Sequence, residues 1–303
     1  MQDNELLLFD RLEVIKNTIK QYGEENFYLS FSGGKDSTVL HYLIDTALPN
    51  NRIPRVFLNT GIEYLDIVKF VKELAANDDR FVIIPPSKPI KQVLEEHGYP
   101  FKSKSHSNHL EIYRNVGMSK TIRKYLGLEQ GNSIYTCPKM LRYQFTPEFT
   151  LKCSDQCCYK LKKEPARKWE KENNRHILLT GMRKEEGGQR KSLKGCIVTD
   201  KDGKVTKFHP LLVVSEEFED WFIDKYQIKL CKLYYPPYNF DRTGCKGCPF
   251  ALKLQEQLDV IGKYLPNERK QCEMIWKPVY DEYRRLNYRL KKTEQLTLDF
   301  TEE

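Results

Sequence analysis

The 303-residue sequence has no apolar run near the roughly 18 residues a membrane-spanning helix requires, so no membrane span is expected. It has no internal repeat and no low-complexity tract. Its opening residues, Met1-Gln2-Asp3-Asn4-Glu5, are acidic and polar, without the basic and then apolar pattern of a secretory leader. A cytoplasmic protein is the expectation. Nine cysteines in such a chain read as reduced thiols, some of them metal ligands, rather than as a disulfide framework. The rest of the composition is ordinary for a globular protein, at 40% hydrophobic and 30% charged. The length suffices for one sizeable α/β core with appended elements.

The formal net charge is +8. Basic residues are dense in Lys160-Leu161-Lys162-Lys163, Arg183-Lys184, Arg190-Lys191 and from Arg284 to Lys292. A solvated basic face accounts for part of this and an anionic ligand for more. Charge alone leaves contact with nucleic acid open.

The most informative segment is Ser32-Gly33-Gly34-Lys35-Asp36-Ser37. It follows an apolar run, Phe27-Tyr28-Leu29-Ser30-Phe31, and precedes Thr38-Val39-Leu40-His41-Tyr42-Leu43, which has helical apolar spacing. Strand, glycine turn and helix in that order predict a phosphate site. The glycines let successive N–H groups point into one concavity, and the helix N-terminus adds unpaired donors and partial positive charge. Ser32 and Ser37 offer hydroxyls, Lys35 a fixed cation, and Asp36 an N-cap or a contact to metal-bound water. The glycine spacing is not that of G-x-x-x-x-G-K-[ST]. The segment closely resembles instead the PP-loop of the ATP-pyrophosphatase superfamily, which implies that it grips the pyrophosphate of ATP while the α-phosphorus reacts. Sulfonucleotide reductases carry a variant of the same loop.

Further along, Leu6–Tyr22 predicts an amphipathic helix, and Arg55–Asn59, Phe81–Ile84 and Ile177–Thr180 predict strands. A helix through Leu74 follows Thr60-Gly61-Ile62-Glu63. The expected fold is α/β: a doubly wound, mostly parallel sheet with ligands at the strand C-termini, of the PP-loop adenine-nucleotide alpha-hydrolase type by resemblance. Residues 87–149 read as helices and loops capping the site, with His106 and His109 as loop residues rather than ligands. Phe208-His209-Pro210-Leu211 reads as a sheet edge or turn, and Glu216–Tyr226 as a helix. The expected domains are 1–250, carrying nucleotide and metal motifs, and 251–303, a helical extension with a polar tail from Thr293.

Cys157-Cys158 is an adjacent pair and Cys245-Lys246-Gly247-Cys248 a C-x-x-C. Adjacent side chains do not readily converge on one tetrahedral zinc, whereas a four-iron, four-sulfur cube offers a separate iron to each thiolate. Asp155-Gln156-Cys157-Cys158, followed by Lys162-Lys163-Glu164-Pro165 and the distal C-x-x-C, resembles the cluster motif of the adenylyl-sulfate and phosphoadenosine phosphosulfate (PAPS) reductase family. Thr180-Gly181-Met182-Arg183 with Arg190 resembles that family's T-G-x-R…R substrate loop, and Asn59-Thr60-Gly61 stands where the family has D-T-G. The resemblance spans roughly Asn26 to Pro249.

The resemblance implies a nucleotide site made by Ser30, Ser32, Gly33, Gly34, Lys35, Asp36, Ser37, Asn59, Thr60, Gly61 and Gly181. It implies catalytic roles for Lys35, Asp36, Arg183 and Arg190, and a 4Fe-4S cluster on Cys157, Cys158, Cys245 and Cys248, with Cys153 in reserve. Magnesium would accompany ATP. Two departures weigh against sulfonucleotide reduction. No E-C-G-L-H-like cysteine appears in the final residues, Leu296 to Glu303, and Cys272 lies on a predicted helix without that motif. The loop also keeps the ATP-pyrophosphatase form. The expected function is therefore an iron–sulfur PP-loop enzyme that splits ATP to AMP and pyrophosphate to activate an acceptor for sulfur transfer. A nucleic-acid acceptor, a sulfur-donor protein and a homodimer are its expected partners. The alternatives are a thiol-dependent sulfonucleotide reductase and a non-catalytic nucleotide-sensing subunit.

Overall fold

Phe27, Tyr28 and Leu29 are almost wholly buried at the centre of a six-stranded sheet in the computed structural model, which describes residues 3–129 and 136–292. The strands are β1 (Phe27–Ser30), β2 (Arg55–Leu58), β3 (Phe81–Ile84), β4 (Ile177–Leu179), β5 (Ile197–Thr199) and β6 (Val205–Phe208), in the order β3-β2-β1-β4-β6-β5. Every neighbouring pair is parallel except β5 with β6. Leu29 pairs with Arg55 and Tyr28 with Leu178, which fixes β1 between β2 and β4. A strand covered on both faces needs apolar residues on both, which is why Phe27–Leu29 of β1 and Val56–Phe57 of β2 are continuous buried apolar runs rather than alternating ones.

The sheet belongs to one compact unit, Met1–Ser87 with Leu161–Cys245. The helices Asp3–Tyr22 and Glu216–Lys225 both lie against the helix Lys35–Ala47. The chain adds β2 and β3 on one side of β1 and then returns to place β4 on the other. Strand order therefore reverses between β1 and β4, and a crevice opens beyond their C-terminal ends. The antiparallel edge strand β5 carries no apolar alternation and was not foreseen. β6 lies one strand in from the edge, with Phe208 fully buried.

At the opposite end of the sheet, Arg55 is fully buried at the start of β2. It donates to Asp45 at 2.6 Å, to Asn51 at 2.7 Å and to Nδ1 of His41 at 3.0 Å, while Arg80 braces the same Asp45 at 2.7 Å. A charge removed from water this completely persists only because every donor has a partner.

The second compact unit is Lys88–Lys160 with Lys246–Glu303. The helical segment expected from residue 251 is present as Leu254–Tyr264 and Pro266–Arg285, and it groups with residues 88–160. Its core includes Trp276, Tyr280 and Tyr283; Trp276 Nε1 donates to the Lys246 carbonyl at 3.0 Å, and the Tyr283 hydroxyl to the Pro249 carbonyl at 2.9 Å. His106 and His109 are not loop residues but lie on the helix Lys104–Val116. The His106 ring is buried between the Tyr125 hydroxyl at 2.8 Å and Gln144 Oε1 at 2.7 Å. The polar tail from Thr293 lies outside the described residues. Among those described, no helix is long and apolar enough to cross a membrane.

Candidate functional site

The glycine turn leaves β1 at the reversal point. Gly33 has φ +72°, and a β-carbon there would sit 3.0 Å from Ile67 Cγ2 and 3.1 Å from Val71 Cγ2. A larger residue would be strained in backbone and crowded in side chain, so the turn needs this glycine. The loop is wired by its own hydroxyls. Ser37 Oγ donates to the Gly34 carbonyl at 3.0 Å and accepts from the Ser32 N–H at 3.2 Å, and the Gly34 N–H donates to Ser32 Oγ at 3.2 Å. The N-cap of the following helix is Gly34; Asp36, expected as a possible cap, is instead the second residue of the first turn and faces Arg183.

Beyond this turn lies a cavity of ≈ 680 Å³, within the size range of small-molecule sites. It is lined by Ser30, Ser32, Gly34, Lys35, Asp36 and Ser37 from the β1 side, and by Thr180, Gly181, Arg183 and Arg190 from the β4 side. The structure thus brings together most of the sequence-predicted nucleotide residues. Asn59, Thr60 and Gly61 do not line this cavity: the Thr60 N–H and hydroxyl both donate to the Glu63 carboxylate at 2.8 Å, and the Gly61 N–H donates to Asn59 Oδ1 at 3.0 Å. Glu63 and Lys162 instead line a smaller cavity of ≈ 120 Å³ that shares Ser30 and Ser32 with the larger one.

Each basic group of the site meets an acid. Lys35 Nζ donates to Glu216 at 2.9 Å and to Asp220 at 3.1 Å. Arg183 is buried, with Nε 3.3 Å from Asp36 Oδ1 and 3.2 Å from Glu219 Oε2, and Nη1 donating to Glu185 at 2.9 Å. Arg190 pairs with Glu186 at 3.0 Å, and Arg242 joins the same carboxylate. Burial opposes the charge on Lys35, but its two carboxylates outweigh burial and hold its pKa above the ordinary lysine value. Glu219 is fully buried, and neither carboxyl oxygen is in hydrogen-bonding geometry with a partner. Burial first, and then the negative charge of Asp36, push its pKa far above the carboxylate range. Thr180 Oγ1 lies 2.6 Å from His209 Nδ1 behind the β4 loop, and burial lowers the His209 pKa to about 4.

The acidic partners were missed in the sequence. Their signal was present in Ser215-Glu216-Glu217-Phe218-Glu219-Asp220: an N-cap serine followed by acids at spacings of three and four, which share one helix face. Ser215 Oγ accepts from the Phe218 N–H at 3.1 Å, as an N-cap should.

The cysteines divide by environment. Cys137, Cys153, Cys157, Cys231 and Cys272 are buried, while Cys158, Cys196, Cys245 and Cys248 are half-exposed. Cys157 and Cys158 share one helical turn, Gln156–Cys158, and Cys245 pairs with Glu63 in an isolated bridge. Gly247 has φ +61°, and a β-carbon there would meet the Tyr280 hydroxyl at 2.5 Å and Cys272 Sγ at 2.7 Å, so the C-x-x-C turn admits only glycine. Thiol donors suit an iron–sulfur centre by their chemistry. Among the described residues, however, no three or more His, Cys, Asp or Glu side chains are gathered to hold a metal ion.

The phosphoadenosine phosphosulfate reductase domain matches the chain over residues 26–130 and 129–251. An uncharacterized protein of Methanocaldococcus jannaschii is 29% identical over 140 residues, covering 45% of this chain and 32% of that protein; the chain spans about a third of that relative's length. Similar solved structures include PAPS reductase from Candida auris in a phosphate complex, at 15% identity and a TM-score of 0.41, covering 73% of this chain and 88% of that one. The U34-tRNA thiolase NcsA from Methanococcus maripaludis with its 4Fe-4S cluster is similar at 14% identity and a TM-score of 0.38, covering 94% and 80%. The domain match extends over most of the chain, from the strand that precedes the glycine turn to the distal cysteines, and on it the protein belongs to the phosphoadenosine phosphosulfate reductase family.

Proposed function

We propose that this protein is a PP-loop enzyme that binds ATP in the cavity at the β1–β4 reversal, splits it to AMP and pyrophosphate, and so activates an acceptor for sulfur transfer. The observation that carries this reading is one cavity lined by the Ser32–Ser37 turn from one strand and Arg183 and Arg190 from another. In the reaction, an acceptor oxygen attacks the α-phosphorus and the bond to the bridging oxygen of pyrophosphate breaks. The acceptor leaves as an adenylyl ester from which a sulfur nucleophile can later displace AMP. Lys35 and the loop amides hold the departing pyrophosphate, and Arg183 and Arg190 offset charge that develops on the α-phosphate oxygens. Magnesium, held mainly by phosphates and water, would neutralise the triphosphate.

Nucleic acid is the proposed acceptor. Residues 88–160, one of the two segments of the second compact unit, hold 12 Lys and Arg against 6 Asp and Glu, a local basic excess. Sulfonucleotide reduction is the second reading, supported by the family itself. Cys272 is a poor nucleophile for it, because burial pushes its thiol up to about 12. Anaerobic protein incubated with ATP, candidate RNA or DNA acceptors and sulfide should release AMP and pyrophosphate in equal amounts, and without sulfide should release pyrophosphate while AMP stays on the acceptor. Sulfite release from a sulfonucleotide, without pyrophosphate formation from ATP, would replace this reading with the second.

A further inference from the structure

The ammonium of Lys35 is occupied before any ligand arrives. Glu216 and Asp220 hold it at 2.9 and 3.1 Å, and its side chain is 13% exposed. Both carboxylates come from the first turns of the helix Glu216–Lys225, where the helix dipole favours negative charge. The turn is fixed from two sides: Ser215 caps it, and the Glu216 N–H donates to Glu185 at 2.8 Å. Spacing of three and four puts Glu216, Glu219 and Asp220 on one face, so the same helix that holds Lys35 also sets Glu219 against Arg183 at 3.2 Å. Two carboxylates therefore hold the cation that a pyrophosphate would use. An incoming anion must displace them or bear their repulsion at contact distance from the same cation.

We propose that Glu216 and Asp220 are a built-in phosphate mimic that sets the ligand specificity of the glycine loop. The pair excludes small free anions such as inorganic pyrophosphate and yields only to a nucleotide whose other contacts supply the energy to displace it. This rests on the nucleotide reading of the cavity and adds the residues that select among its anions.

The test is calorimetric binding of pyrophosphate and of ATP, with divalent cations chelated, to wild type and to the double variant Glu216→Gln/Asp220→Asn. Both side chains are more than half exposed, so the variant should keep its fold, which circular dichroism checks. The variant should bind pyrophosphate at least about tenfold more tightly, because Lys35 is released from two like-charged competitors of its ligand. Adding Lys35→Ala to the variant should abolish the gain. The exposed neighbour Glu217, one residue off this face, controls for bulk charge, and Glu217→Gln should change little. Wild type that binds ATP, with a double variant no tighter for pyrophosphate, overturns the mimic alone. If neither protein binds ATP with or without magnesium, the nucleotide reading falls and the mimic with it.

Discussion

A β-carbon placed on Gly181 would lie 2.8 Å from the main-chain carbonyl carbon and oxygen of Asp36. The loop that leaves β4 therefore touches the backbone of the glycine-loop helix, and only a residue without a side chain permits the approach. Gly181→Ala must push the two loops apart at the cavity. We expect nucleotide affinity to fall at least about tenfold, and stability to drop by about 1–3 kcal/mol, the usual cost of forcing a methyl into packed structure. Gly244→Ala is the control, since a β-carbon there meets nothing within 4 Å. Equal loss of binding in both variants would contradict the close-approach argument.

Arg183 reaches Asp36, Glu185 and Glu219 through a guanidinium whose geometry a lysine cannot reproduce. Arg183→Lys should lower nucleotide affinity and turnover, whereas Arg284→Lys and Arg285→Lys, in the second compact unit, should leave both near wild type. Equal effects at all three positions would mean a diffuse basic surface rather than a site.

The sheet was legible because Phe27–Leu29, Val56–Leu58, Phe81–Ile84 and Ile177–Leu179 are continuous apolar runs of strand length, and the loop was legible because phosphate binding demands glycine, lysine and hydroxyls in fixed order. β5 was not, because an antiparallel edge strand of three residues exposes its side chains: Ile197 is 40% exposed. The acids around Lys35 and Arg183 come from a helix 181 and 36 residues away in sequence, and local patterning has no register for such pairs. In the sequence His106 reads as a loop residue because its neighbours are polar. Its burial depends on Tyr125 and Gln144, which the fold brings to it.

Stability at the far end of the sheet should depend on Asp45. Replacing it by asparagine leaves Arg55 buried with its principal counter-charge gone, a change that costs about 3–5 kcal/mol for buried pairs. Asp79→Asn breaks an exposed, solvent-screened pair with Arg52 and should leave the urea midpoint near wild type. Urea unfolding of the two variants measures the difference. Similar costs would mean that Arg55 finds another partner.

Acid should destabilise the fold well above the carboxylate range. Burial holds His41, His106 and His209 at about 4, below the ordinary histidine value of 6.5. Unfolding therefore takes up protons between those values, so stability is full above pH 6.5 and is lost as pH falls toward 4. Glu219 acts oppositely. Its pKa is raised, so ionisation in the unfolded chain erodes stability as pH climbs above the carboxylate range. Between pH 5 and 6 the urea midpoint of wild type should rise with pH, and that of Glu219→Gln should rise more steeply. A variant slope equal to or shallower than wild type would show that Glu219 is ionised in the fold.

The cysteines offer the last test. No three potential metal ligands are gathered among the described residues, so the cluster implied by the cysteine motifs stands on sequence resemblance; if it forms, anaerobically purified protein should be brown, with about four irons and four sulfides per chain. Cys→Ser at Cys157, Cys158, Cys245 or Cys248 should bleach it and lower its stability, since metal binding is coupled to folding. Gly247→Ala should do the same without removing any cysteine, because the C-x-x-C turn has φ +61° and no room beside Tyr280 and Cys272. Cys153 and Cys272 are buried, with thiols pushed up to about 12, and are expected to remain protonated; serine there should keep the colour even if it costs stability. Cys196 and Cys231 should likewise keep it. One zinc and no sulfide in carefully anaerobic material would make the site a zinc centre. Loss of colour on replacing Cys153 but not Cys157 would move the fourth ligand to the thiol held in reserve.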